Sequence, residues 1–159
     1  MFCCPEIFNG KGIIIMNTKK ASCTVFLIAG TLHSIATFYW SFGGEIGLLT
    51  VGQWTLGMKE QYGYTVLAGL FVLGLFKLAA AWMPFILYNN DNKLLEIISY
   101  VGGGILVIHG GVNTVAGWLK ILGVLPRQYA LSEIGQAFIW DPLFLLWGAG
   151  LIVFLVNRE

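Results

Sequence analysis

The sequence predicts an all-α protein: a four-helix transmembrane bundle with interfacial outer connections. Three observations carry that prediction. Hydrophobic residues fill 57% of the 159 positions and charged residues only 11%, against about 25% charged in an ordinary soluble domain. Four apolar stretches are each long enough to cross a hydrocarbon core, which takes about 20 residues. None alternates with the period of a membrane β-strand, so helices are the way to satisfy every backbone group in lipid. The same composition excludes other classes. A small monomeric globule cannot hide so much apolar surface from water, and intrinsic disorder needs the opposite balance. A net charge of +1 gives no electrostatic footprint for nucleic acid. Three cysteines, two of them adjacent at Cys3 and Cys4, make no disulfide framework.

The elements follow in order. Residues 1–20 read as a cytoplasmic N-terminal tail, partly disordered. Lys19-Lys20 resembles the basic start of a signal peptide. The apolar run after it is too long, and no small-residue cleavage pattern follows. The first span, about 21–42, is therefore a retained anchor. The second, about 63–88, holds one charge, Lys77. The polar turn Asn89–Lys93 then makes the second and third spans antiparallel neighbours. The third, about 94–119, carries His109 and two glycine runs, Gly102-Gly103-Gly104 and Gly110-Gly111, which mark it as the central packing element. The fourth, about 138–156, opens at Asp141-Pro142, a good N-cap and first helical position. Residues 157–159 form a C-terminal tail.

The membrane domain thus covers 21–156. Its two longer connections are too apolar for free loops, which predicts short interfacial helices or a lid. Trp40, Trp54, Tyr62, Tyr64, Trp118, Tyr129 and Trp140 are placed in an outer aromatic belt. Five Lys or Arg (Lys11, Lys19, Lys20, Lys93, Arg158) lie on the side of the termini and three (Lys59, Lys120, Arg127) on the other. The positive-inside rule then puts both termini in the cytoplasm of a multi-pass cell-membrane protein. Two hairpins of similar plan, each with a mid-span histidine followed by a tryptophan, also suggest an internal duplication.

Polar side chains in a bilayer core are costly and usually face the bundle interior. His33 shares a helical face with Ala29, Gly30, Ala36 and Thr37. His109 shares one with Gly102, Asn113 and Gly117, and Lys77 with Gly74, Ala81 and Pro84. At a rise of about 1.5 Å per residue, His33, Lys77 and His109 reach similar depth, with Asn113 one turn further out. His33, Lys77, His109 and Asn113 are therefore the candidate intramembrane binding cluster. Lys77 is the most anomalous, since a mid-span lysine costs about 2.5–3.5 kcal/mol on insertion scales. The plain alternatives are an interhelical hydrogen bond for His33, snorkelling for Lys77 and helix capping for Asp141. Trp40, Glu45, Trp140 and Asp141 are the outer-face candidates, and Arg127 is expected to face lipid headgroups. No metal site is expected.

Two motifs carry a resemblance. Tyr39-Trp40 with Gly43-Gly44-Glu45-Ile46-Gly47 follows the first span, and Trp140-Asp141-Pro142 opens the last. With the span plan over about 21–156, the chain resembles a bacterial family of small four-span integral membrane proteins known only as a domain of unknown function. The resemblance implies the topology and singles out Trp40, Gly43, Gly44, Trp140, Asp141 and Pro142. It implies no activity.

The sequence is read as a non-catalytic integral membrane protein. Beyond the lipid bilayer itself, it would bind a lipid, a small hydrophobic molecule or a partner membrane protein within the bundle. Its small-residue faces also permit a homo-oligomer. One alternative is a membrane enzyme in which His33, Lys77, His109 and Asp141 act on a lipid or quinone-like substrate. That requires the side chains to come within reach of one bound molecule. The other alternative is a b-type haem protein with His33 and His109 as axial ligands; otherwise no cofactor is predicted. Four helices with so few polar groups make a poor aqueous channel.

Overall fold

The computed structural model describes residues 10–52, 54–86 and 92–157. Every regular element among them is helical. In chain order they are α1 (Gly10–Ser41), α2 (Leu48–Val51), α3 (Trp54–Tyr62), α4 (Tyr64–Ile86), α5 (Lys93–Ile121) and α6 (Ala130–Gly135). A π-helical turn, Gln136–Trp140, then leads into α7 (Asp141–Val156). Four helical stretches are long and apolar enough to cross a membrane: Met16–Ser41, Tyr64–Ile86, Lys93–Ile121 and Ala130–Val156. The first helix thus begins inside the stretch expected as a tail, and residues 1–9 lie outside the described residues. The last helix begins eight residues earlier than the charge pattern suggests.

α1 and α7 form the centre. In each, 39% of the most apolar window is buried, against 11% in α4 and in α5. The inward face of α1 runs Ser22, Phe26, Ala29 and Gly30, His33 and Ser34, Thr37, Trp40 and Ser41. That spacing of three and four is one helical stripe. Its hydroxyls are satisfied within the helix, Ser34 donating to the Gly30 carbonyl (2.8 Å) and Thr37 to that of His33 (2.9 Å). Phe26, Ala29, Ala81, Trp147, Leu151, Phe154 and Leu155 make the buried core.

α4 packs on α1, and α5 packs on α7. Both contacts depend on missing side chains. A Cβ at Gly30 would lie 2.6 Å from that of Ala81, and one at Gly148 would lie 2.6 Å from the Gly103 carbonyl oxygen. The buried stripe of α5 is Gly103, Gly110, Thr114 and Gly117. α4 and α5, joined by the shortest connection, barely touch. This corrects two expectations: the second and third spans are not packed neighbours, and the third is not central. The small, hydroxylated face of α1 admits both α4 and α7, which leaves α5 only the far side of α7. Nor do the described residues show a two-fold repeat. A two-fold matching the hairpins would turn the α1–α7 contact into an α5–α4 contact, which is nearly absent.

The helix ends explain the glycine pair after the first span. Gly43 has φ +88, in the left-handed region. Its N–H donates to the Trp40 carbonyl and that of Gly44 to the Tyr39 carbonyl, both at 3.0 Å. This is a Schellman stop, which needs a residue free of Cβ strain at its left-handed position. At the start of α5, Asn92 Oδ1 accepts from Leu94 N (3.1 Å) and Leu95 N (3.4 Å) and caps the helix.

Candidate functional site

Because α4 and α5 stand apart, a cavity of about 840 Å³ opens between them, floored by α1 and α7 and covered by α2 and α3. Its two histidines, its lysine and its aspartate fall in two clusters.

The first cluster joins α1 and α4. Lys77 Nζ lies 3.2 Å from His33 Nδ1 and donates to Thr37 Oγ1 at 3.0 Å. Lys77 reaches α1 because Gly74 and Ala81, on the same face, are buried against it. His33 is 5% exposed and Thr37 1%. His33 Nε2 is buried and has no hydrogen-bond partner among the described residues.

The second cluster joins α5 and α7. Asn113 Nδ2 donates to Asp141 Oδ1 at 3.5 Å and lies 3.3 Å from His109 Nε2. His109 Nε2 is 3.7 Å from Asp141 Oδ1. Asp141 is buried, whereas the His109 side chain is 54% exposed. This corrects the placement of His109 inside the bundle. The packing stripe of α5 passes through Gly110, so His109, one residue back, sits about 100° away, on the lip of the cavity.

Phe144 links the clusters. Its ring centroid is 4.0 Å from that of His33 and 5.4 Å from that of His109, and Lys77 Nζ lies 5.6 Å from it. The two imidazoles can be no further apart than those two centroid distances laid end to end. All four members of the intramembrane candidate set, His33, Lys77, His109 and Asn113, line the one cavity. Phe144 thus packs against both imidazoles. Among the described residues, no three His, Cys, Asp or Glu side chains converge as metal ligands.

Of the outer-face candidates, Trp40, Trp140 and Asp141 line the cavity, and Glu45 is exposed and does not. Trp40, expected in an interfacial belt, is buried. Its Nε1 donates to the Ile46 carbonyl (3.0 Å), and its ring meets Trp140 edge-on at 5.0 Å between centroids. Trp140 Nε1 donates to Thr50 Oγ1 at 2.9 Å and Gln136 Nε2 to the Val51 carbonyl at 3.0 Å. These bonds fasten α2 over the outer end. The side chain of Trp54 lies outside the described residues.

Asp141 is not an N-cap. Its backbone is helical, and the helix runs through it from α6 by way of the π turn. Pro142 lacks an N–H and crowds the preceding turn, and a widened π turn accommodates both defects. The Asp141 carboxylate is thereby left to face Asn113. The helix start is anchored instead by Glu133, which accepts from Gln128 N (2.8 Å) and Tyr129 N (3.3 Å) and pairs with Arg127 Nε (3.2 Å). Arg127 is thus ion-paired, with its side chain still 40% exposed. Sequence reasoning also missed Phe144, Gln136 and Thr50. A phenylalanine inside an apolar run gives no signal, and the other two act only through a long-range contact.

Residues 30–151 match the family described as Protein of unknown function (DUF3995). The chain belongs to the DUF3995 family. The matched segment takes in both polar clusters, Phe144 and the cap over the cavity, so these features lie within the DUF3995 region itself. It also contains both motifs that carried the resemblance. No curated protein and no solved structure matches the chain. The family description brings no activity, so the function of this DUF3995 protein is argued from its site.

Proposed function

We propose that the protein spans a cell membrane with both termini in the cytoplasm and binds a small lipid-like molecule in the groove between α4 and α5. The observation that carries this reading is the groove itself. Its volume, about 840 Å³, falls within the roughly 300–1,000 Å³ of small-molecule sites. Its walls are mostly aliphatic and aromatic, with Lys77, His33 and Asp141 among a smaller set of polar groups. The outer perimeter supports the bilayer setting: Ile35 on α1, Phe76 on α4 and Ile108 on α5 are 57%, 69% and 67% exposed, as suits contact with lipid tails. A ligand that enters from the bilayer needs no aqueous path.

The test is extraction and mass spectrometry of protein purified in mild detergent. A molecule held at close to one per chain, and absent from a Leu70→Trp variant with unchanged helical circular dichroism, is the expected result. Identical extracts from both proteins would overturn the reading.

A specific contact favours a second reading, a membrane enzyme. Lys77 and His33 meet at 3.2 Å, a distance at which a proton passes between base and acid, and both line the groove. Conversion of the extracted molecule by reconstituted protein, abolished in a folded His33→Phe variant, is the result this reading requires.

A further inference from the structure

The lysine of the groove lies at the wrong end for the head of a phospholipid in its leaflet. From Thr65 to Lys77 it runs along α4 for about 18 Å at 1.5 Å per residue. Leu48, Val51, Met58 and Leu70 line its outer part, with Thr55 and Gln136 as uncharged polar groups among them. Lys77, His33 and Thr37 close its deep end, near the middle of the helices. Among the described residues, Lys77 is the one lysine or arginine lining the groove and Asp141 the one carboxylate. Asp141 is already engaged by Asn113 and His109. Among the described residues, no carboxylate lies within ion-pair distance of Lys77. An ammonium has three protons to donate, and His33 Nδ1 and Thr37 Oγ1 take two. When Nδ1 accepts from Lys77, the hydrogen of the neutral imidazole sits on Nε2, the buried atom without a partner. The deep end therefore holds an uncompensated cation and two N–H groups in want of oxygen acceptors.

We infer that the ligand is a single-chain amphiphile with an anionic head, a carboxylate in class. Its head sits on Lys77 at the deep end, and its chain runs outward along α4 beneath α2 and α3. This inference rests on the groove reading above and adds the chemistry of the occupant. A buried ammonium without a counter-charge is costly, and an incoming carboxylate neutralises it while filling the open donor position. An acidic phospholipid offers the same anion, but its glycerol and second chain hold the head at the surface.

The experiment uses the full chain in phosphatidylcholine nanodiscs and follows tryptophan fluorescence, since Trp40 and Trp140 line the groove. Palmitate and hexadecanol are titrated, and phosphatidylglycerol is included in a third series. Palmitate is expected to bind at least about tenfold more tightly than hexadecanol, the size of one charge-assisted hydrogen bond. Lys77→Met is expected to erase that ratio while hexadecanol binding persists, and Lys77→Arg to keep it. The palmitate-to-hexadecanol ratio is read on wild-type protein, so it stands even where Lys77→Met fails to fold. Equal binding of palmitate and hexadecanol would overturn the anionic head and leave the groove reading intact. Binding of neither would overturn both. Competition by phosphatidylglycerol without binding of palmitate would overturn the single-chain assignment.

Discussion

Lys77 Nζ lies 3.2 Å from His33 Nδ1, and this contact exists because the residues flanking Lys77 on α4 have almost no side chain. Gly74 closes on Phe38 and Ala81 on Gly30. The two helices are close enough there for a lysine to reach the interior of α1. What looks like an isolated charge in an apolar run is one register of a packing face.

That placement should cost stability in the absence of ligand. Lys77→Met keeps the length of the side chain and removes a charge worth about 2.5–3.5 kcal/mol of insertion penalty. Part of this is returned when His33 loses its partner, at about 1–3 kcal/mol for a buried group left unsatisfied. A small rise in the unfolding midpoint of delipidated Lys77→Met is expected in detergent. A large fall would show instead that the contact is mainly structural.

The glycines of α5 and α7 should separate into two kinds. Gly148→Ala would press a methyl against the Gly103 carbonyl (2.6 Å) and Val107 N (2.8 Å), and backbone cannot step aside. A loss of about 1–3 kcal/mol is expected. Gly102 and Gly104 have nothing within 4 Å of such a methyl, so alanine there should gain about 0.5–1 kcal/mol from helix propensity. Thermal unfolding of the three variants checks the contrast.

Much of this architecture is legible in the amino-acid sequence. Span number and the shared depth of His33, Lys77 and His109 follow from length, apolarity and rise per residue. Which helices touch does not. Glycines at 102, 103 and 104 look equivalent in sequence, yet only Gly103 is buried, and a step of one residue turns the face by about 100°. The same step moved His109 from the interior to the lip. A short connection suggests adjacency, but α1 has the smaller and more polar face and takes both α4 and α7. Asp-Pro reads as a helix start because the pattern cannot announce a π turn that lets the helix continue through it.

The cap over the groove should behave as a coupled pair. Trp140 Nε1 donates to Thr50 Oγ1 at 2.9 Å across 90 residues of sequence. Trp140→Phe and Thr50→Val each remove the bond, and the double variant removes nothing more. A double-mutant cycle should return a coupling of about 0.5–1.5 kcal/mol. A coupling near zero would mean that the bond does not hold α2 in place.

Asn113 should matter more to the second polar cluster than His109, although the histidine is the more conspicuous residue. Asn113 is the donor to a buried carboxylate, Asp141, at 3.5 Å. Asn113→Ala leaves that carboxylate short of a hydrogen bond inside the bundle, at about 1–3 kcal/mol. His109 is half exposed on the groove lip, 3.7 Å from the same oxygen, a geometry that contributes about 0–1 kcal/mol. Chemical or thermal unfolding of Asn113→Ala and His109→Ala in detergent should rank them in that order. The reverse order would make His109 the group that holds Asp141, and the wall between α5 and α7 would then have to be organised around the imidazole.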